Sequence, residues 1–89
     1  MVRLHPHAHE RILERGTTEA EVIATVEHGE QFPAKLGRVG FRRNFPFTGV
    51  WRGRSHTTKQ VEAYAVVDDD GWLVITVIVK FFGEKGTDL

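Results

Sequence analysis

Cysteine is absent from this 89-residue chain. Its absence excludes disulfide bonds, thiolate metal sites and a cysteine nucleophile, and it fits a reducing compartment. Residues 1–5 lack the apolar core of a signal peptide, and the longest apolar run, around residues 73–79, is far too short to span a bilayer. We therefore expect a cytoplasmic protein that makes no contact with a membrane.

Acidic residues are missing from the middle of the chain, although its formal net charge is zero. Residues 31–61 contain neither Asp nor Glu. Seven of the twelve basic residues lie there: Lys35, Arg38, Arg42, Arg43, Arg52, Arg54 and Lys59. Such a basic segment predicts binding to RNA or to an acidic protein partner, and a solvated surface without a partner is the alternative.

Motifs for cofactor chemistry are absent as well. The sequence has no Gly-rich phosphate loop, dinucleotide fingerprint or Ser/His/Asp arrangement, so we expect no cofactor. His5, His7 and His9 are close enough in sequence to suggest a metal site. However, zinc usually takes three or four protein ligands, and His5 lies before a proline. We therefore predict no metal and assign these histidines to capping and to an exposed helix face.

Two helices are predicted near the start of the chain. The first begins at Pro6, which suits the first helical turn, and it ends at Gly16. Thr18 and Glu21 have the spacing of a capping box, which begins a second helix that ends at Gly29. About two residues join the helices, so they are expected to form a helical hairpin.

The pattern changes to the two-residue period of strands after the second helix. We predict an edge strand over residues 32–36, a strand or irregular hairpin over 39–47, a loop over 49–58, and strands over 60–68 and 72–82. Asp70 and Gly71 provide a hairpin signal between the last two strands. The expected fold is α+β, with an N-terminal helical hairpin packed on one face of a three- to four-stranded antiparallel sheet. This single domain spans residues 1–82, and residues 83–89 are expected to form a flexible tail.

The most distinctive stretch of the sequence is His7-Ala8-His9-Glu10-Arg11-Ile12-Leu13-Glu14-Arg15-Gly16. It resembles a bacterial family of small domains of unknown function, whose first helix has the form His-Ala-x-x-Arg-x-x-x-Arg-Gly. The second helix and the Val/Thr-rich last strand match that family in kind, whereas the Arg-rich segment 38–54 departs from it. Such domains look like the RelE and BrnT toxins. The resemblance therefore implies a RelE-like α+β ribonuclease that a partner antitoxin neutralises.

Three residues of this motif share one face of the predicted helix. His7, Arg11 and Arg15 are spaced four residues apart. Metal-free RNA cleavage needs a base that titrates near neutral pH, to take the 2′-OH proton, and fixed cations for the phosphorane. These residues supply both types of group. Alternatively, the arginines pair with Glu10 or Glu14, or their stems lie along the sheet.

Part of the predicted sheet also carries candidate site residues. Tyr64, Thr76 and Lys80 are predicted to lie on the face away from Val61 and Ala63. There they line a site opposite the helices or have structural roles. In the structural alternative, Lys80 is an edge charge that blocks aggregation and Tyr64 is a partly buried ring.

These features predict a metal-independent endoribonuclease of toxin type that acts on RNA. Its catalytic residues would be His7, Arg11 and Lys80, with His7 as the acid–base group and the two cations stabilising the transition state. The RNA backbone would be held by Arg38, Arg42, Arg43, Arg52, Arg54 and Lys59. His56, in the predicted loop, is a second acid–base candidate without a supporting neighbour in the sequence. The alternative is a non-enzymatic binding module that docks a protein or nucleic acid through the same basic segment.

Overall fold

The computed structural model describes residues 1–84, which form two helices and one five-stranded sheet. In chain order the elements are β1 (Val2–Leu4), α1 (Pro6–Arg15), α2 (Glu19–His28), β2 (Glu30–Pro33), β3 (Val39–Trp51), β4 (Arg54–Asp68) and β5 (Gly71–Glu84). The strand order is β1-β5-β4-β3-β2. Neither helix in residues 1–84 is long and apolar enough to cross a membrane. The predicted tail begins at residue 83, but β5 includes residues 83 and 84, and residues 85–89 lie outside the described part of the chain.

The two predicted helices are confirmed, and local contacts explain their ends. At the start of α1, the imidazole Nδ1 of His5 accepts a hydrogen bond from the backbone N–H of His7 (3.1 Å). Gly16 ends α1 in the left-handed conformation, with φ 81°, which a residue without Cβ adopts at little cost. At the start of α2, the Thr18 hydroxyl accepts a hydrogen bond from the backbone N–H of Glu21 (3.1 Å).

The sheet is mixed rather than wholly antiparallel, because β1 pairs in parallel with the start of β5. The backbone N–H of Trp72 donates to the Met1 carbonyl (2.9 Å), and that of His5 donates to the Val74 carbonyl (2.8 Å). The predicted sheet of three to four antiparallel strands is therefore too small, and the prediction missed β1, whose parallel pairing makes the sheet mixed. A strand of three residues is too short to leave a recognisable period in the sequence.

The segment predicted as a loop, residues 49–58, belongs mostly to two long strands. β3 has 13 residues and β4 has 15, and they are joined through Arg52 and Gly53. Both of these residues have positive φ, 53° and 82°, as a two-residue type I′ hairpin turn requires. The described domain is elongated, with dimensions of 50 × 24 × 21 Å.

The hydrophobic core lies on one face of the sheet. Its buried residues are Ala8, Ile12, Val22 and Val26 from the helices, and Phe41, Val61, Ala63, Ala65, Val74 and Val77 from the strands. Val61, Ala63 and Ala65 alternate along β4 and therefore point to the same side. α1 packs over β5, and α2 packs over β4 and β3. The prediction that both helices cover one sheet face is thus confirmed.

The opposite sheet face carries no helix among residues 1–84, and we refer to it as the helix-free face. Tyr64 pairs with Thr76 across β4 and β5, and Lys80 pairs with Gln60. Tyr64 and Lys80 both contact Glu62, which neighbours them on this face. As predicted, Tyr64, Thr76 and Lys80 lie away from the core residues of β4.

Candidate functional site

The three predicted catalytic residues lie on two sides of the sheet. His7 is exposed in the first turn of α1, and Arg11, one turn later, pairs with Glu14 (Nη1 to Oε1, 3.4 Å). Lys80 lies on the helix-free face, with its Nζ 3.2 Å from the carboxylate of Glu62. Because the sheet separates α1 from that face, the structure does not bring Lys80 together with His7 and Arg11.

Lys59, predicted to hold the RNA backbone, is buried inside the domain with 7% of its surface exposed. Its Nζ donates to the Glu21 carboxylate (2.6 Å) and to the Gly16 carbonyl (3.2 Å). The Thr17 hydroxyl also donates to Glu21 (2.9 Å). The charge of Lys59 is therefore neutralised within the protein, where it links the start of α2 to β4.

Arg42 is likewise occupied by contacts within the sheet. Its Nε donates to the Glu30 carboxylate (2.9 Å), and its guanidinium lies 4.6 Å from the centre of the Phe32 ring. The hydrogen bond and the negative charge of Glu30 raise the pKa of Arg42 above its usual value. This arginine therefore stays charged and bound to the β2 edge on the helix-free face.

The other predicted RNA-binding arginines are spread over the domain. Arg43 alternates with Arg42 along β3 and lies over the Phe45 ring (5.4 Å). Arg38 is half-buried beside a cavity of about 360 Å³ at the β2 end of the sheet. Arg52 lies in the turn at the far end of the β3–β4 hairpin and Arg54 directly follows it, roughly 30 Å from Arg42 along the strand. The basic segment therefore does not form a single continuous surface.

The end of the hairpin instead carries a packed aromatic group. The Trp51 and Phe81 rings are stacked, with centroids 5.0 Å apart and an interplanar angle of 20°. The edge of Phe47 meets Phe81 at the same separation. Trp51 also reaches the end of α1, where a Cβ on Gly16 would lie 2.9 Å from the indole ring. Thus Gly16 is required both by its backbone conformation and by the approach of Trp51.

Two arginines border this aromatic group. The Arg52 guanidinium lies 5.4 Å from the centre of the Trp51 ring, within the range of a cation–π contact. Arg15, at the end of α1, lines a cavity of about 400 Å³ together with Trp51, Arg52, Glu14 and Val79. The Nε of Arg15 is buried and has no hydrogen-bond partner within residues 1–84. The cavity is therefore bordered by two guanidiniums and one aromatic ring.

His56 lies on the other side of the same aromatic group. Its ring centre is 5.7 Å from that of Phe81, and both residues line a cavity of about 310 Å³ with Arg54. The buried Nδ1 of His56 has no hydrogen-bond partner in the described residues. We refer to Arg15, Trp51, Arg52, His56 and Phe81 as the hairpin-end cluster. Sequence reasoning missed this cluster because it assigned His56 to a loop, although the Arg52-Gly53 turn could have placed the histidine on a strand.

The helix-free face holds a second polar group, centred on Glu62, whose surface is only 5% exposed. Its carboxylate accepts hydrogen bonds from the Tyr64 hydroxyl (2.7 Å) and pairs with Lys80 (3.2 Å). Burial of the phenol, followed by its bond to Glu62, raises the pKa of Tyr64 above its usual value. These contacts give Tyr64 and Lys80 a structural role, since they satisfy a buried carboxylate.

Comparisons with known proteins found no relative of this chain. No family model matches it, and neither does a curated protein or a solved structure. The described residues contain no cluster of three or more His, Cys, Asp or Glu side chains that would hold a metal ion. The hairpin-end cluster, with its cations, stacked rings and imidazole, is therefore the arrangement on which a function can be argued.

Proposed function

We propose that this domain is a toxin-type endoribonuclease that binds single-stranded RNA at the hairpin-end cluster and cleaves it without a metal ion. The observation that carries the proposal is the Trp51–Phe81 stack with the Arg52 guanidinium against it. Aromatic faces bind unpaired bases by stacking, and guanidiniums bind phosphates. The α1 motif resembles a bacterial family of small domains of unknown function that look like RelE and BrnT toxins, and this resemblance supports the same proposal, together with a partner antitoxin.

The chemistry requires groups that the cluster contains. In metal-free cleavage the 2′-oxygen of a ribose attacks the adjacent phosphorus, and the 5′-oxygen leaves. The products are a 2′,3′-cyclic phosphate and a 5′-hydroxyl end. His56 takes the 2′-OH proton, and the leaving oxygen takes a proton from solvent. Arg15 and Arg52, which line the cavity on the other side of the rings, would bind phosphates of the same strand.

The geometry favours His56 over His7 as the acid–base group. His56 lies beside the Phe81 ring and lines a cavity together with Arg54. His7 is exposed at the opposite end of α1 from Arg15. A base must come within hydrogen-bond reach of the proton that it removes, so it must lie where the RNA is held.

A matched pair of histidine variants tests the catalytic assignment. A labelled single-stranded RNA is incubated with the wild-type protein, His56→Ala and His7→Ala, in the presence of a chelator. We expect His56→Ala to cleave about 10²–10⁴ times more slowly while still binding RNA, and His7→Ala to cleave at the wild-type rate. The reverse result would move the catalytic site to α1. Binding without cleavage by the wild type would instead identify the non-enzymatic binding module.

A matched pair of arginine variants tests the RNA-binding surface independently of cleavage. Arg52→Gln removes a cation of the hairpin-end cluster, whereas Arg42→Gln removes one that is held by Glu30 on the helix-free face. If Arg52 contacts a phosphate, its loss reduces the slope of log affinity against log salt by about 0.7 for a single strand. Arg42→Gln should leave that slope unchanged. An equal effect of both variants would show diffuse binding and contradict the proposed site.

A further inference from the structure

A carboxylate lines the cavity beside Trp51, and the proposed cleavage gives it no role. Glu14 borders this cavity of about 400 Å³ together with Arg15, Trp51, Arg52 and Val79. Pockets that bind organic ligands commonly have volumes of about 300–1,000 Å³, so the cavity has room for one nucleotide. A carboxylate repels the phosphates that the two arginines attract. Its place in the cavity is accounted for by a ligand that also offers hydrogen-bond donors.

The ion pair that Glu14 forms with Arg11 is weak. The Arg11 Nη1 lies 3.4 Å from the Glu14 Oε1, which is long for a hydrogen bond between charged groups. The two side chains are 40% and 59% exposed, so water solvates both of them. Exposed pairs three positions apart on a helix contribute little to stability. The Glu14 carboxylate can therefore exchange this contact for one with a ligand at little cost.

Arg15, the next residue, brings a donor to the same cavity. Its side chain is half-buried, and its buried Nε has no hydrogen-bond partner within residues 1–84. A buried N–H without an acceptor costs free energy, which an acceptor on a ligand would recover. The end of α1 thus presents two carboxylate oxygens beside an N–H donor.

Among the four RNA bases, guanine alone matches a pair of acceptors beside a donor. Its Watson–Crick edge carries the N1–H and N2–H donors side by side, followed by the O6 acceptor. A carboxylate accepts from both donors at once. Adenine and cytosine place a ring-nitrogen acceptor beside their amino group, and uracil places a carbonyl oxygen on each side of its N3–H. Each of these three bases would therefore bring an acceptor against the carboxylate.

We propose that the cavity beside Trp51 is a guanine subsite, in which the Glu14 carboxylate accepts hydrogen bonds from N1–H and N2–H of an unpaired guanosine. The Nε of Arg15 donates to O6, and its terminal N–H groups remain for phosphate. The Trp51 ring forms an aromatic wall beside the base, and Arg52 binds a phosphate of the same strand.

This specificity rests on the proposed function, because the guanosine is taken to be part of an RNA strand. Two guanidiniums and one carboxylate leave the cavity with a single positive charge, which one phosphodiester balances. His56, the proposed base, lines a cavity on the other side of the rings. A guanosine held beside Trp51 would therefore direct cleavage to a linkage close to that guanosine.

Mononucleotides test the subsite without cleavage, because they contain no linkage to cut. The 5′-monophosphates of guanosine, inosine and adenosine are titrated into the whole chain, and binding is measured by calorimetry. Inosine keeps N1–H and O6 but lacks the N2 amino group, so it removes one hydrogen bond alone. We expect the guanosine nucleotide to bind about tenfold more tightly than the inosine nucleotide, with the adenosine nucleotide weakest. Equal affinities, or no binding of any nucleotide, would overturn the proposal.

A matched pair of glutamate variants tests the assignment to Glu14. Glu14→Gln leaves one acceptor where the carboxylate has two, whereas Glu10→Gln makes the same change one helical turn earlier, at an exposed position outside the cavity. Glu14→Gln should remove most of the preference for guanosine over inosine without weakening the binding of adenosine monophosphate. Glu10→Gln should leave all three affinities unchanged. Both positions are exposed, so neither variant should change the melting temperature. Equal effects of the two variants would contradict the assignment.

A strand containing one guanosine separates the subsite from the proposed function. The probe is a labelled oligouridylate with a single central guanosine, compared with the same strand carrying adenosine there. We expect the guanosine strand to bind more tightly than the free guanosine nucleotide and to be cut beside the guanosine. Cleavage at every position, by the wild type and Glu14→Gln alike, would refute the subsite and leave the ribonuclease proposal standing. Binding of the free nucleotide without binding or cleavage of either strand would refute the ribonuclease proposal and assign the subsite to a free guanine nucleotide.

Discussion

Each face of β4 carries an ion pair with a deeply buried member. That member is the lysine on the helix-covered face and the glutamate on the helix-free face. On the helix-covered face the side chains of Lys59 and Glu21 are 9% and 24% exposed, so both are largely removed from water. On the helix-free face the side chain of Glu62 is 6% exposed, whereas the side chain of Lys80 is 58% exposed. The first pair is internal and joins a helix to the sheet. In the second, a solvated ammonium neutralises a carboxylate that lies beneath it.

This contrast explains why a cation in the sequence is a poor guide to a binding site. Lys59 and Lys80 were both predicted to contact RNA or its transition state, and each has an acidic partner within the domain. Neither partner is close in sequence, since Glu21 lies 38 positions from Lys59 and Glu62 lies in the neighbouring strand. Only the tertiary structure shows which basic residues remain for a ligand.

The largest expected effect is on the helix-covered face. Glu21→Ala leaves the Lys59 ammonium buried, with the Gly16 carbonyl as its remaining partner. Removing one member of a buried pair leaves an uncompensated charge, so we expect a loss of about 3 kcal/mol in the free energy of unfolding. Lys59→Met removes the buried charge itself and should cost only about 1 kcal/mol. Denaturant unfolding of both variants checks the order, and a greater loss in Lys59→Met would reverse our assignment of the buried member.

On the helix-free face we expect removal of the lysine to destabilise the protein more than removal of the glutamate. The difference between the two variants should be smaller than on the helix-covered face. Here Lys80→Met removes the cation that pairs with buried Glu62 and leaves Arg42, on the neighbouring strand, as its remaining positive neighbour, at a cost of about 2 kcal/mol. Glu62→Gln keeps an acceptor for the Tyr64 hydroxyl and returns Lys80 to water, so it should cost about 1 kcal/mol. The same unfolding measurements apply. If removal of the lysine costs more stability than removal of the glutamate on both faces, or the reverse holds on both, burial does not explain the contrast between the faces.

The smallest effect concerns the pH dependence of the helix-free face. The pKa of Tyr64 is raised in the folded protein, first by burial and then by its hydrogen bond to Glu62. The folded state therefore holds the phenolic proton more tightly than the unfolded state does. This contribution to stability is complete below about pH 10 and is lost as pH rises above it.

Tyr64→Phe removes the titrating group and should remove this part of the alkaline loss of stability. The chain contains a single tyrosine, so its absorbance on ionisation reports Tyr64 directly. The comparison requires the unfolding midpoint of both proteins on each side of pH 10. Identical alkaline slopes in wild type and variant would show that Tyr64 does not contribute.

Local signals predicted the helices and the central strands because those signals act within a few residues. The Gly16 end and the Thr18 cap fixed the boundary between the two helices, and the hairpin between β4 and β5 formed within one residue of its predicted place. Its loop residues are Asp69 and Asp70, while Gly71 lies in β5, where the Met1 backbone leaves no space for a Cβ. Sequence patterns of this range therefore gave the fold class.

The features that escaped prediction depend on distant or unusual contacts. Arg52 at positive φ is an uncommon turn residue, so the segment around it resembled a loop and His56 was left without neighbours. The stacking of Trp51 on Phe81 joins positions 30 residues apart. The candidate site was therefore only partly predictable. The sequence identified its arginines as basic residues, but it did not show that the basic residues are spread over both faces and both ends of the sheet.

The parallel pairing of β1 with β5 has a consequence for how the chain acquires its structure. Val2 pairs with Trp72, about 70 positions later, whereas the β3–β4 ribbon closes over a short distance in sequence. During synthesis β1 leaves the ribosome early and must wait for its partner strand. Contacts between distant positions form slowly, because closing the long loop between them costs entropy before the contacts themselves can stabilise the chain. The complete sheet is thus a late event, and the backbone groups of β1 stay without their partner strand until β5 has been made.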